Sequence, residues 1–391
     1  MDARSPNLEQ PTAARGWRPQ RCDRVALVLQ GGGALGAYQA GAFEALSEHG
    51  LSPDWVAGIS IGAINGAIIA GNAPENRVKR LRHFWERVSS GLQGIPLMGD
   101  GQHRTVFNDA SALLSLYFGV PGFFEPRFPP PILVSADGPA SLGYYSTEPL
   151  IRSLGELVDF DYLNREGPRL SVGAVNIRTG NLAFFDKAKE KLKLEHILAS
   201  GALPPGLPPV RIGADYFWDG GIVSNTPLQY VLDEPPPAPE MCIFQVDLFS
   251  ARGSLPGNLL DAVEREKEIR YSSRTRLNTD MVAKRHELRC ALKRLLRKLP
   301  EDLRDDPDAL RLARVEDEPA VTIVHLIYRE SAYETQARDY EFSRVSVEEH
   351  WAQGRKDVLQ TLAHDSWKNR TPREGATVLD LTRKKPQGVP A

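Results

Sequence analysis

Three short stretches of this chain carry residue types that could do chemistry. The first is Gly58-Ile59-Ser60-Ile61-Gly62. In a G-x-S-x-G turn the serine sits between a strand and a helix, and the tight bend pushes its hydroxyl into the open. Gly58 and Gly62 lack Cβ atoms, so the flanking segments can approach each other. The N-terminus of the following helix offers a partial positive charge toward Ser60. The second stretch, Gly31-Gly32-Gly33-Ala34-Leu35-Gly36, lies just upstream. Without side chains, the backbone N–H groups of Gly31, Gly32 and Gly33 can reach a negatively charged oxygen. A nucleophile beside a preformed anion site is what acyl transfer requires. The third stretch is Trp218-Asp219-Gly220-Gly221. Taken alone, an Asp followed by two Gly is ordinary turn chemistry.

The elements needed to position these residues are legible around them. Val25–Gln30 is a short aliphatic and β-branched run, which reads as a buried strand. Gly36 to about Glu48 reads as a helix stopped by Gly50. Trp55–Ile59 is a second strand, and a second helix runs to about Ala70, opening with the small residues Ala63, Gly66 and Ala67. Strand, helix and strand in series form a right-handed parallel crossover, which places both turns side by side at the carboxyl edge of one sheet. A dinucleotide loop would want an acidic residue at the end of the second strand, whereas Asp54 precedes it. A phosphate-binding P-loop is excluded by the missing Gly-Lys-Ser/Thr.

In order along the chain, GGGxxG, GxSxG and D-G-G resemble the signature of patatin-like phospholipases. The run Leu198–Val210 is similar to that family's S-x-A-x-P-x-x-x-P-P-V stretch, and Tyr145–Leu150 to its T-x-P-L. The likeness spans roughly Val25–Leu232 and extends to bacterial members that carry a C-terminal extension. It implies an α/β fold, a three-layer α/β/α arrangement with a mostly parallel central sheet, followed by a largely helical C-terminal extension. It also implies a Ser–Asp dyad without histidine, with Ser60 as nucleophile and Asp219 as base, and an oxyanion site from Gly31, Gly32 and Gly33. The expected reaction is cleavage of a fatty acyl ester, of phospholipase A or carboxylesterase type, through an acyl-enzyme. The expected partner is a lipid or other acyl ester, and neither cofactor nor metal is called for.

Other readings share parts of this pattern. Asp247, at the end of the apolar run Cys242–Leu248, is a second candidate carboxylate. An α/β-hydrolase triad would need a later histidine, for which His286 and His325 are available, but there the serine turn usually ends a later strand than the second. A thioesterase, a transacylase or an intracellular polyester depolymerase would use the same dyad. A non-catalytic lipid- or granule-binding protein would keep the fold without the chemistry.

Composition narrows the setting. At 391 residues with a net charge of −2, the chain has no global pull toward nucleic acid or an anionic membrane. Cys22, Cys242 and Cys290 are far apart and lack metal-ligand spacing, which points to a reducing compartment. The N-terminal arm, residues 1–23, is Pro- and Arg-rich without an apolar signal core. The expectation is a cytoplasmic protein that meets lipid, if at all, from the surface. The hydrolase domain is expected over residues 24–250, the extension over 251–367 and a loose tail over 368–391.

Within these bounds, Glu75–Val88 reads as a helix, and Leu170–Asn176 with Asn181–Phe185 as a hairpin. Gly91 to Pro131 shows no clean alternation. It reads equally well as a lid or acyl-binding wall and as an irregular part of the core. Asp261–Arg297 reads as a long basic helix with Leu288, Leu292, Leu295 and Leu299 on one face. Such a helix can make transient contact with a membrane surface; a helix packed on the main domain with a solvated basic face is the favoured alternative. Val321–Tyr328 reads as a strand and Ser346–Leu362 as a helix.

Overall fold

The computed structural model describes residues 22–91, 101–131, 138–234, 240–253, 255–313, 320–329, 334, 337–370 and 376–381. Most of the expected arm and tail therefore lies outside the described residues, as does the side chain of Cys290.

The strands are β1 (Arg24–Leu29), β2 (Trp55–Gly58), β3 (Glu125–Pro126), β4 (Tyr145–Ser146), β5 (Arg169–Asn176), β6 (Leu182–Asp186), β7 (Val210–Ile212), β8 (Asp215–Asp219), β9 (Glu240–Asp247), β10 (Ala320–Ile327) and β11 (Ala376–Asp380). The helices are α1 (Gly36–Glu48), α2 (Ile61–Ala70), α3 (Pro74–Val88), α4 (Gly101–Phe118), α5 (Glu148–Leu157), α6 (Phe160–Arg165), α7 (Leu194–Ser200), α8 (Leu228–Asp233), α9 (Leu259–Leu296), α10 (Pro307–Ala313), α11 (Arg344–Ala363) and α12 (Asp365–Lys368).

Nine strands form one mixed, mostly parallel sheet in the order β11-β10-β9-β1-β2-β5-β8-β7, with β6 paired to β5. The central strands are buried on both faces, which is why they read as continuous apolar runs. Their alternation still sorts the two faces. Val25, Leu27 and Leu29 of β1 join the larger core under α1, α2, α3 and α11. Ala26 and Val28 point the other way, into a smaller core with Leu228, Val231 and Leu232 of α8. Helices therefore cover both faces of the sheet.

β1 pairs in parallel with β2, with Leu29 opposite Gly58, so the turns that follow these two strands are neighbours. β2 pairs in parallel with β5, with Gly58 opposite Val172. On the far side of β5 the antiparallel β8 sets Asp219 opposite Ala174. Two residues beyond Gly58 the chain reaches Ser60, and two beyond Val172 it reaches Ala174. The register thus brings Ser60 and Asp219 to one level, on either side of β5.

The chain beyond residue 250 is built into this sheet. β10 pairs with β9 and β11 with β10, both in parallel, and α11 packs along α1, where the Trp351 indole N–H donates to Glu44 at 2.7 Å. The segment from Gly91 to Pro131, which lacks a helical pattern in the sequence, contains α4 over Gly101–Phe118. Its apolar residues are spread around the helix rather than gathered in one stripe: Leu116 turns toward the interior cavity, while Tyr117 and Phe118 face out. In the distal half of α9, Leu288 and Leu295 are 71% and 61% exposed. Leu292 and Leu299 of the same face are half-buried, so this part of the helix covers its leucines only in part, while Glu268 and Ser272 in the first half of α9 are buried.

No helix among the described residues is long and apolar enough to cross a membrane.

Candidate active site

Ser60 follows β2 at the start of α2 with φ 54° and ψ −123°, and among the described residues it is the one non-glycine with positive φ. The bend depends on bare backbone around it. A Cβ on Gly58 would fall 2.3 Å from the carbonyl oxygen of Gly62. The backbone N–H of Ser60 donates to Ser200 Oγ at 3.0 Å, and that hydroxyl donates to the Gly173 carbonyl at 2.7 Å. A strained serine is thus tied to the strand that separates it from Asp219. Strain of this kind persists only where its surroundings over-determine the conformation.

Asp219 ends β8 and is 2% exposed. Its backbone N–H donates to the Ala202 carbonyl at 3.0 Å, and its Oδ1 accepts from the Gly221 N–H at 2.7 Å. Burial pushes its pKa up to about 6, while hydrogen bonds from the Ser60 hydroxyl and the Gly221 amide pull the other way. The same Asp–Gly–Gly run that reads as a turn therefore also holds a carboxyl in contact with the serine hydroxyl, in a dry place where its proton affinity is raised.

The glycine loop is held from two other parts of the chain, around Asn225 and Asp339. Asn225 Nδ2 donates to the Gly31 carbonyl at 3.0 Å, and the Gly31 N–H donates to the Asn225 carbonyl at 3.2 Å. The Ala34 N–H donates to the Asp339 carbonyl at 2.9 Å. Of the three amides expected to face an oxyanion, that of Gly31 is therefore already engaged, because its N–H and carbonyl are both clamped by Asn225. The amides of Gly32 and Gly33 have no protein acceptor among the described residues. Gly33 takes φ +56°, and a Cβ there would lie 2.2 Å from the Asp339 carbonyl oxygen.

Behind the loop, Gln30 is fully buried. Its Nε2 donates to Thr226 Oγ1 at 2.9 Å and to the Tyr271 carbonyl at 3.2 Å. Its Oε1 accepts from the N–H groups of Leu248 at 2.6 Å and Phe249 at 2.9 Å. One side chain joins the ends of β1 and β9 to the first half of α9.

Ser60, Asp219 and Gly31–Gly33 line a common cavity of about 180 Å³. Leu116 from α4, Phe123, Phe124 and Leu203–Leu207 supply an apolar wall. Phe342 comes from the C-terminal part of the chain, and its ring centroid lies 5.7 Å from that of Phe123. The stretch around α4 thus contributes to the cavity wall, one of its two sequence readings.

Other candidates are placed elsewhere. Asp247 is buried on β9, accepts from Gln245 Nε2 at 2.7 Å and does not line the cavity; burial raises its pKa to about 7. His325 lies on β10, separated from β2 by β9 and β1, and the side chain of His286 is outside the described residues. Among the described residues, no histidine lines the cavity. Asp54 accepts from the Val25 N–H at 2.8 Å and from Arg24 at 3.3 Å, which makes it a staple at the start of β1.

Sequence reasoning missed Ser200, Asn225, Asp339, Tyr271 and Tyr340. Asn225 lies six residues beyond Asp219 in a stretch with no motif to mark it. Ser200 is the serine of the S-x-A-x-P stretch, but its part in the site shows only in its contacts with Ser60 and Gly173. Asp339, Tyr271 and Tyr340 carry no local pattern and reach the cavity from far along the chain.

Residues 27–232 match the family model described as patatin-like phospholipase, and residues 269–374 match a second, described as patatin phospholipase. The chain belongs to the patatin-like phospholipase family, a family of lipid ester hydrolases. Among its relatives, lysophospholipase nte1 of Aspergillus terreus is 53% identical over 53 residues, which are 13% of this chain and 4% of that protein. Patatin-like phospholipase domain-containing protein 6 of Homo sapiens is 41% identical over 63 residues, 16% of this chain and 5% of that one. Triacylglycerol lipase SDP1L of Arabidopsis thaliana is 33% identical over 100 residues, 25% of this chain and 12% of that one. The matched segments are thus a small part of these relatives' length. Of solved structures, VipD from Legionella pneumophila aligns with 88% of this chain and 67% of its own, at 14% identity and a TM-score of 0.36. The type III effector ExoU aligns with 87% of this chain and 52% of its own, at 15% identity and a TM-score of 0.32.

Proposed function

We propose that the protein is a serine lipid acyl hydrolase working through a Ser60–Asp219 dyad. The observation that carries this reading is the contact between the Ser60 hydroxyl and a buried Asp219 carboxyl in a cavity with an apolar wall. Asp219 takes the Ser60 proton as Oγ attacks the ester carbonyl carbon. The free amides of Gly32 and Gly33 receive the negative charge that develops on the carbonyl oxygen; one such donor is typically worth about 3–4 kcal/mol in the transition state. The alcohol leaves with the proton from Asp219, and Asp219 then activates water to release the acid. A carboxylate in water is too weak a base near neutrality, and burial brings its proton affinity closer to the working pH.

A fluorophosphonate probe tests this directly. It should label the wild type at Ser60 and leave Ser60→Ala unlabelled and without esterase activity on p-nitrophenyl esters. Replacing His286 or His325 by Asn should preserve turnover. Loss of activity in a folded histidine variant would replace the dyad with a triad.

A further inference from the structure

The cavity beside Ser60 has two chemically different sides. One is the apolar wall of Leu116, Phe123, Phe124, Leu203, Leu207 and Phe342, suited to an acyl chain. The other is formed by Tyr271, Asp339 and Tyr340, all from the chain beyond residue 250. The Tyr271 ring stacks on Phe249 with centroids 5.2 Å apart. Neither the Tyr271 nor the Tyr340 hydroxyl has a hydrogen-bond partner among the described residues, and both rings line the cavity. Burial first, and then the neighbouring carboxylates Asp339 and Asp219, push both phenols up, so they keep their protons at any ordinary pH.

The charges on this side are as informative as the hydroxyls. Among the described lining residues there is no Lys, Arg or His, and the ionisable carboxyls, Asp219 and Asp339, are both acidic. The cations nearby are engaged. Lys267 is bonded to Asp339. Arg338 bridges Glu264 at 3.3 Å and Glu268 at 2.6 Å. Arg127, in an adjoining groove, donates to the carbonyls of Tyr145 at 3.1 Å and Ser141 at 3.2 Å. The Lys267 ammonium, 5.1 Å from the Tyr340 ring centroid, is held by Asp339, so a phosphate group a few bonds from the scissile ester would meet, among the described residues, only cations already committed to carboxylates or carbonyls, which is unfavourable. An uncharged alcohol bearing a hydroxyl would meet two neutral donors that have no other partner among the described residues.

We propose that Tyr271 and Tyr340 form the alcohol subsite and that it selects uncharged, hydroxyl-bearing leaving groups, making neutral acylglycerols better substrates than anionic phosphate esters of the same acyl chains. This rests on the Ser60–Asp219 reading above. During cleavage the carbonyl carbon bonds to Ser60 Oγ and the bond to the alkoxy oxygen breaks. That oxygen takes the proton Asp219 had collected from Ser60, while the phenols donate hydrogen bonds and keep their own protons.

The test compares dihexanoylglycerol with dihexanoyl phosphatidic acid, both kept below the concentrations at which they aggregate, using the full chain. The glycerol ester should have the higher kcat/KM by about tenfold or more, the order expected of one lost or gained polar interaction. In Tyr271→Phe and Tyr340→Phe, the ratio of kcat/KM for dihexanoylglycerol to that for p-nitrophenyl hexanoate should fall by about tenfold, again one hydrogen bond's worth. A residue that only supports the wall would depress both substrates and leave the ratio unchanged. Equal or faster cleavage of the phosphatidic acid, an unchanged ratio in both Phe variants, or turnover of neither lipid overturns the proposal. Activity that survives in Ser60→Ala would instead overturn the dyad, so the two failures are distinguishable.

Discussion

The carbonyl oxygen of Asp339 accepts a hydrogen bond from the N–H of Ala34 at 2.9 Å, which docks the C-terminal part of the chain onto the glycine loop. Nearby, Arg338 bridges Glu264 and Glu268 of α9, and Lys267 of the same helix is bonded to Asp339. The loop proposed to receive an oxyanion is thus shaped partly from a segment three hundred residues downstream.

Truncation after Leu248 follows as the first prediction. It would remove β10 and β11, lay bare the β9 edge, and strip Tyr271, Tyr340 and Phe342 from the cavity. An exposed, apolar parallel edge is an aggregation template. The truncated chain should be insoluble or fail to label with a fluorophosphonate. A soluble, labelled product would make the C-terminal part an accessory.

Asp219 gives a prediction with a definite sign. Its pKa is about 6 in the folded protein against 3.8 as a free side chain, so the folded state holds the proton more tightly. This costs stability, absent below about pH 4, growing as pH rises through 6, and fully present above it. The cost at pH 8 is at most about 3 kcal/mol, from 1.36 kcal/mol per pKa unit. Asp219→Asn should therefore raise Tm at pH 8 and change it little at pH 4. The Asn Oδ1 can still accept the Gly221 amide. It cannot take a proton, and turnover should drop by about 10²–10⁴-fold, the range for a lost general base. Wild-type kcat/KM should rise with pH through about 6. Thermal melts at the two pH values and a pH–rate profile check both halves.

How much of this was legible beforehand divides along a physical line. The strand–turn–helix units around Gly31 and Ser60 were readable because everything that specifies them is local: a short apolar run, bare glycines, then a helix-forming stretch. Asp219 needed the family resemblance, since Asp-Gly-Gly has the same local form whether it merely turns or holds a base. The antiparallel pairing of β8 with β5, which sets Asp219 level with Ser60, is a long-range choice with no local mark. The return of β10 and β11 to the sheet was hidden for the same reason. Val321–Tyr328 read as a strand, but nothing in its residues names β9 as its neighbour.

Gly33→Ala should damage both stability and turnover. The new Cβ would meet the Asp339 carbonyl at 2.2 Å, and the residue would be held at φ +56°. Left-handed strain alone costs about 1–3 kcal/mol for a non-glycine residue, and relief would require the Ala34–Asp339 contact to open. Gly155→Ala is the internal control. It lies in α5 with nothing within 4 Å of the added methyl, so it should stabilise by about 0.5–1 kcal/mol, the helix preference for Ala. Urea denaturation midpoints for the two variants should move in opposite directions.

Ser60 itself offers the sharpest test of whether the bend is maintained at a cost. Its φ of 54° is adopted by no other non-glycine among the described residues, and such a conformation costs about 1–3 kcal/mol. Ser60→Gly removes the Cβ that makes it costly, offset by about 0.4–1 kcal/mol for the extra freedom of Gly in the unfolded chain. Both Ser60→Gly and Ser60→Ala lose the hydroxyl's hydrogen bond to Asp219, so the two are compared with each other: the Gly variant should be about 1 kcal/mol more stable than the Ala variant, read as a higher Tm, with esterase activity lost. Ser60→Ala keeps the Cβ and the strain while losing the hydroxyl, so it should be equally inactive without that gain. If Ala and Gly variants melt together, the turn is not strained, and the geometry that exposes the serine is the chain's relaxed state rather than one enforced by Gly58, Ser200 and the strands around it.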